Sequence, residues 1–374
     1  MKVNKRQSIL GLSLLGMLIA FVIIWIRRPD PHTVFVITSP ISFTSVIFSP
    51  DGRMVATGSE DGQIQLRSVV NGHIIRSLIG HSHEVWGLAF SPNGHQLVSA
   101  AADGTVRLWD VATGNMTRLV LKQPFDDAHT LSTVLSDGTY HTIFELFYSV
   151  AFSPDGKLLA VGTDQGRVIL IGLDTDEVLQ AFQGHEDISF SRIVTRVAFS
   201  NDGQFIASLV RYGGINLWQV AQPGVIHAFT SPYRTYSMIF SPDSPKLVMA
   251  NQMTGLYDTW NLPNGPLQPA LQPNSSELTR FKGDASGVSA TMSLDSHMVA
   301  IGGGLTTQSD LKGIPFLGPQ NDPRIFVWHA GEIQPAVVLR GHQDNVIGLS
   351  FSPDNKLLAS VSWDHTMRLW SIED

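Results

Sequence analysis

From Gly80 to Asp110 the chain alternates apolar and polar positions in short runs broken by turn residues. Val85 to Phe90 is followed by a Ser-Pro-Asn-Gly turn, Gln96 to Ala101 by Asp103-Gly104, and Val106-Arg-Leu-Trp-Asp closes the unit. Alternation in runs this short predicts strands, and turns this tight between them predict an antiparallel meander. The frame recurs. Phe48-Ser-Pro-Asp-Gly, Phe90-Ser-Pro-Asn-Gly, Phe152-Ser-Pro-Asp-Gly, Phe199-Ser-Asn-Asp-Gly, Phe240-Ser-Pro-Asp-Ser, Met292-Ser-Leu-Asp-Ser and Phe351-Ser-Pro-Asp-Asn mark seven copies. The turn aromatic precedes Trp109, Trp218 and Trp370 by 19 residues and Trp260 by 20. The same offset of 19 reaches Arg67 and Ile171 in the first and third copies, while the sixth stretches to 36, from Met292 to Trp328. Self-similarity at such a period implies stacked supersecondary units.

Gly80-His81, Gly184-His185 and Gly341-His342, the Asp61-Gly62 and Asp103-Gly104 turns, and the closing Trp109-Asp110 resemble the WD-repeat β-propeller family. The resemblance runs over roughly 340 residues. It implies an all-β fold, seven four-stranded antiparallel blades round a channel, occupying residues 33–374. It also implies that His81, Ser99, Asp103 and Trp109, and again His342, Ser360, Asp364 and Trp370, form buried hydrogen-bond networks tying strands to the preceding loop. The physical reason is that buried polar groups need partners, and a connected network stiffens a blade. A serine, a histidine and an aspartate together also suggest a catalytic set, but recurrence in two blades favours structure. Most members of the family are interaction platforms. Copies one, three, five and six lack the Gly-His, and Tyr212 and Thr254 stand where copies four and five should carry Asp.

The chain stops four residues after Trp370, so the last copy lacks a fourth strand. The lone alternating run Thr33 to Thr38 is the expected replacement, closing the ring and covering an open edge. Strand direction then places four long insertions, Lys122 to Phe147, Glu186 to Ile193, Gln272 to Gly287 and Gly302 to Pro323, on one face. Aromatics expected on that face are Trp363, in the turn before Asp364, and Trp86, Tyr148 and Tyr236 near the starts of innermost strands. Rigid aromatics on a rim are the stuff of interface hot spots, so these four are the candidate partner-binding residues.

Ahead of the repeats, Ile9 to Ile26 is apolar without a charge, about 27 Å as a helix, which matches a bilayer core. No small-x-small cleavage site follows, and Arg27-Arg28 sit where one would fall. The reading is an uncleaved signal anchor: residues 1–28 as cytoplasmic N-terminus and transmembrane helix, 29–32 as linker, and the propeller outside the cell membrane.

Residues 1–28 hold five basic residues and no acid, leaving 20 Lys+Arg against 32 Asp+Glu in the rest, a charge of −12. So acidic a body excludes nucleic acid as the expected partner. With no cysteine there is no disulfide, thiolate metal site or Cys nucleophile. Asp126, Asp127, His129 and His141 match no metal-ligand spacing, and Gly302-Gly303-Gly304 lacks the lysine and helix of a phosphate loop. No cofactor is expected. A monomeric membrane-tethered scaffold binding a protein or peptide is the leading reading. The alternative is an extracytoplasmic propeller hydrolase or lactonase with its site at the channel mouth. That would need convergent His, Asp or Glu there, yet the matching positions are Thr44, Trp86, Tyr148, Thr195, Tyr236, Val288 and Ile347.

Overall fold

The computed structural model describes residues 30–122, 132–134, 140–142, 145–175, 177–185, 192–210, 214–221, 225–230, 235–241, 246–251, 257–261, 287–295, 297–303, 323–329 and 335–373. The strands lie where the alternating runs fall, and consecutive strands pair antiparallel. Each innermost strand packs on the next. Phe43–Phe48 lies against Val85–Phe90, which meets Phe147–Phe152, and the series continues through Val194–Phe199, Thr235–Phe240, Gly287–Met292 and Val346–Phe351 back to Phe43–Phe48. The result is a closed ring of radiating sheets around a central channel.

The expectation of seven four-stranded blades is corrected. Among the described residues six blades have four strands, and the sheet of Thr235–Phe240, Lys246–Asn251 and Tyr257–Asn261 has three. Its expected fourth strand, Leu267 to Leu271, lies outside the described residues. Pro266, Pro269 and Pro273, in and beside that stretch, each lack the N–H that a ladder requires. The expected membrane-spanning helix is corrected as well: no helix among the described residues is long and apolar enough to cross a membrane. Ile9 to Ile26 lies outside the described residues, and an apolar composition establishes hydropathy, not a helix. The single-pass cell-membrane localisation with an extracytoplasmic propeller finds no support among the described residues.

The repeated Phe-Ser-Pro-Asp-Gly is explained by its turn. Ser49 donates to Asp51 Oδ1 at 2.6 Å while its oxygen accepts the Met54 N–H at 3.0 Å, and Asp51 Oδ1 also accepts the Arg53 N–H. The same arrangement returns at Ser153 with Asp155, Ser200 with Asp202, Ser293 with Asp295 and Ser352 with Asp354. Gly52 supplies the left-handed residue at φ 69°, and in the last copy Asn355 adopts φ 60° in its place. Asparagine is one of few residues with a side chain that tolerate that region.

The core lies between neighbouring blades. Ile64, Leu66 and Leu78 of the first blade bury against Val85, Leu97 and Trp109 of the second. Closure comes from the first described strand. Thr33–Thr38 pairs antiparallel with Thr366–Ser371, Thr38 opposite Thr366 and Thr33 opposite Trp370. Phe35 and Ile37 pack into the cluster shared by the last and first blades. Polar latches hold both ends: Ser371 N–H donates to His32 O at 2.7 Å, Ser39 N–H to His365 O at 3.0 Å, and Arg340 N–H to Asp30 Oδ2 at 2.7 Å.

Candidate functional site

Two polar constellations were flagged as possible chemistry, and their geometry shows what they do. In the second blade Trp109 Nε1–H donates to Ser99 Oγ at 2.8 Å, and Ser99 lies 2.7 Å from His81 Nε2. His81 Nδ1 lies 2.8 Å from Asp103 Oδ2. A carboxylate can only accept, so Nδ1 carries the proton and Nε2 accepts from the serine. Asp103 further accepts from Thr105 Oγ1 at 2.6 Å and from the Ser82 N–H. Burial alone would raise the Asp103 carboxyl, but the hydrogen bonds from His81 and Thr105 and the nearby imidazole outweigh it, holding the pKa at about 2. The last blade repeats every contact with Trp370, Ser360, His342, Asp364 and Thr366. Ser99 and Ser360 have no exposed surface. A nucleophile must meet its substrate, and these hydroxyls meet only indole and imidazole.

The fourth blade carries a shortened version. Trp218 Nε1–H donates to Ser208 Oγ at 2.9 Å, and Ser208 lies 2.8 Å from His185 Nε2. Tyr212, at the aspartate's position, lies outside the described residues. Burial pushes the His185 imidazole down to about 4 from 6.5. The unfolded chain therefore binds more protons between those values, so stability should fall as pH drops from about 6.5 towards 4, by about 2–3 kcal/mol at pH ~4.5. Urea titrations from pH ~7 to ~4.5 on the wild type and His185→Asn check this: the wild-type curve should be the steeper, and parallel curves would refute it.

The third blade has Val161 and Ile171 where its neighbours have serine and tryptophan. Its tie is different, and the motif did not foretell it. Arg167, which opens the third strand of the blade, donates through Nε to Glu145 Oε1 at 2.6 Å and forms a second ion-pair contact with Oε2. Glu145 is 2% exposed and Arg167 8%. The pair joins the strand to the segment before the blade, the same two parts that the histidine network joins elsewhere.

At the channel the innermost strands share another feature. Each shifts register by one residue against its neighbour, at Thr44, Trp86, Tyr148, Thr195, Tyr236, Val288 and Ile347. A bulge leaves its extra residue unpaired and re-aims the side chain. Here five of these residues, Thr44, Trp86, Tyr148, Thr195 and Ile347, line a cavity of about 460 Å³ at the channel mouth. Trp86 and Tyr148 stack at 5.8 Å between ring centroids, 26° apart. Trp363 also lines the cavity and is 44% exposed. Its N–H donates to Asn345 O at 3.1 Å, as Glu60 N–H does to Ser42 O and Asp164 N–H to Leu146 O, which fixes the strand-connecting turns beside the cavity. Tyr236 holds its bulge position, and its side chain lies outside the described residues, as do those of Asp126, Asp127, His129 and His141. Among the described residues no cluster of His, Asp or Glu could hold a metal.

A ring of antiparallel blades tied by His-Ser-Asp-Trp networks defines a propeller built from WD-type repeats. The sequence profile of the family described as "WD domain, G-beta repeat" matches residues 72–110, 130–171, 176–219 and 333–371, and that of the "Anaphase-promoting complex subunit 4 WD40 domain" matches 12–86. The chain belongs to the WD-repeat family. It is 26% identical over 232 residues to the "Target of rapamycin complex subunit wat1" of Schizosaccharomyces pombe, covering 60% of this chain and 64% of that protein. It is 26% identical over 227 residues to the "Periodic tryptophan protein 2 homolog" of Dictyostelium discoideum, covering 59% of this chain and 21% of that protein. The matches thus span less than two thirds of these relatives. The β-propeller domain of Myceliophteria thermophila Cps50 (Swd1) superposes with a TM-score of 0.70 at 18% identity, covering 92% of this chain and all of that one, a likeness of fold.

Proposed function

We propose that the protein is a non-enzymatic binding scaffold that receives a protein or peptide segment on the face around the channel mouth. The observation that carries this reading is the aromatic cavity: the Trp86–Tyr148 stack and the exposed Trp363 surround a space of about 460 Å³. Rigid aromatics bordering a pocket lose little entropy on contact and shed water readily, which is why such residues anchor interfaces. The names of three relatives point the same way, since the TOR-complex protein is named as a subunit and none of the three is named as an enzyme. Tyr236 belongs to the same proposed surface by its place at the bulge of its strand.

The test separates contact from packing. With a partner recovered by cross-linking and purified, Trp363→Ala should weaken binding about tenfold or more and leave the melting curve in place. Asp364→Ala, which cuts the adjoining network, should lower the melting temperature instead. A Trp363→Ala protein that binds normally but melts early would show that the tryptophan is packing and that the partner sits elsewhere.

A further inference from the structure

One feature of the cavity wall is not aromatic. The residue after each bulge is small in six of the innermost strands: Ser45, Gly87, Ser149, Ser237, Ser289 and Gly348. Crowding explains it. Ser45 Oγ donates to Val85 O and Ser149 Oγ to Val194 O, each reaching across to the next innermost strand. A Cβ on Gly87 would come within 3.2 Å of Tyr148 O and Ala100 Cβ. In the fourth blade this position holds Arg196, opposite Leu209 in the ladder.

Arg196 is half-buried and lines the cavity, the one residue among those that do to carry a charge. Two arginines beside blade ties have anionic counter-groups: Arg167 has Glu145, and Arg107 has Asp103. Among the described residues the Arg196 guanidinium has no ion pair and no hydrogen-bond partner. Burial lowers the pKa of its guanidinium, which is the mark of a cation held from water without an anion to offset it. The turns on that face carry mostly the opposite sign, with Glu60, Glu84, Asp164 and Asp344 against Arg192. A lone cation at the centre, aromatic walls and an acidic rim set three requirements for a ligand.

We propose that Arg196 is the anion subsite of the channel mouth, and that the segment docking there inserts a single aspartate or glutamate carboxylate onto its guanidinium. This rests on the reading of that face as the binding face. The planar fork of arginine pairs with a carboxylate through two parallel N–H donors. The stack of Trp86 on Tyr148 suits an apolar or aromatic residue next to the inserted acid, and the rim suits lysine or arginine flanks. A phosphate dianion fits less well, because one guanidinium offsets half its charge and the rim repels the rest.

The experiment pans a phage library of random dodecapeptides against the immobilised full chain, then measures an enriched peptide by fluorescence anisotropy. Enriched peptides should share one Asp or Glu with basic flanks. Replacing that Glu by Gln in the peptide, which leaves the protein untouched, should weaken binding about tenfold or more, as should Arg196→Ala, while Arg196→Lys retains part of it. Peptides that need Trp363 but neither an acid nor Arg196 would overturn the subsite and leave the binding face standing. Peptides indifferent to both Trp363→Ala and Arg196→Ala would overturn both. Inorganic phosphate competing as well as a free carboxylate peptide would overturn the carboxylate assignment, and failure to enrich any peptide would count against the insertion itself.

Discussion

A protein beginning at Ile41 melts below one beginning at Asp30, by about 7 °C. The difference between the two is the strand Thr33–Thr38 with its latches. Its loss strips the ladder partner from Thr366–Ser371, exposes the side of the last blade that Phe35 and Ile37 cover, and removes the bonds of Asp30 and His32. Two apolar side chains and an edge of backbone hydrogen bonds together are worth about 5 kcal/mol. The edge left behind would be a strand with unpaired N–H and C=O groups, a template for association, so the shorter protein should also aggregate on heating. Calorimetry and light scattering on the two truncations measure both effects. Equal melting temperatures would mean that the ring holds without its latch.

Glu145→Ala and Arg167→Ala should each cost about 3–5 kcal/mol, because either leaves one buried charge without its partner. The pair is nearly sealed from water, and both atoms of the carboxylate face the guanidinium. Thr163 Oγ1 adds a weak bond to Glu145 Oε1 at 3.4 Å, too long to replace the arginine. Replacing both residues together, Glu145→Leu with Arg167→Met, should cost less than either single change, since no orphan charge remains. Urea titrations of the four proteins give the coupling directly. Single variants that each lose under about 1 kcal/mol would show that water reaches the pair and that the third blade is tied some other way.

Much of the architecture was legible because the alternation of side chains and the chemistry of tight turns are local. Met54 to Ser59 or Leu158 to Thr163 announces itself within six residues, and Ser49 with Asp51 closes its turn two residues apart. The missing strand of the last copy also pointed to Thr33–Thr38, because an open edge needs a partner wherever it lies in the chain. Long-range pairs were harder. Glu145 and Arg167 stand 22 residues apart with no motif between them, in a copy that lacks the Gly-His on which the expected network rests. Arg196 was passed over for a geometric reason. The channel-facing positions were read as one per strand, Thr195 in this one, but the bulge at that residue breaks the two-residue period and brings the next side chain to the cavity as well. The expected fourth strand of the fifth sheet and the apolar run Ile9 to Ile26 rested on hydropathy alone, which records what a segment would bury and not which element it forms, and both lie outside the described residues.

The latch also sets an order on events during synthesis. His32 and Ser371, which bond across the closed blade, are 339 positions apart. At about 5–20 residues per second a ribosome needs roughly 20–70 s to cover that distance. Through that interval Thr33–Thr38 has both edges bare, and one of its faces carries Val34 and Val36, which remain exposed even in the finished ring. Thr33–Thr38 is thus made long before its ladder partner, and the nascent chain carries its unpaired edges until Thr366–Ser371 emerges.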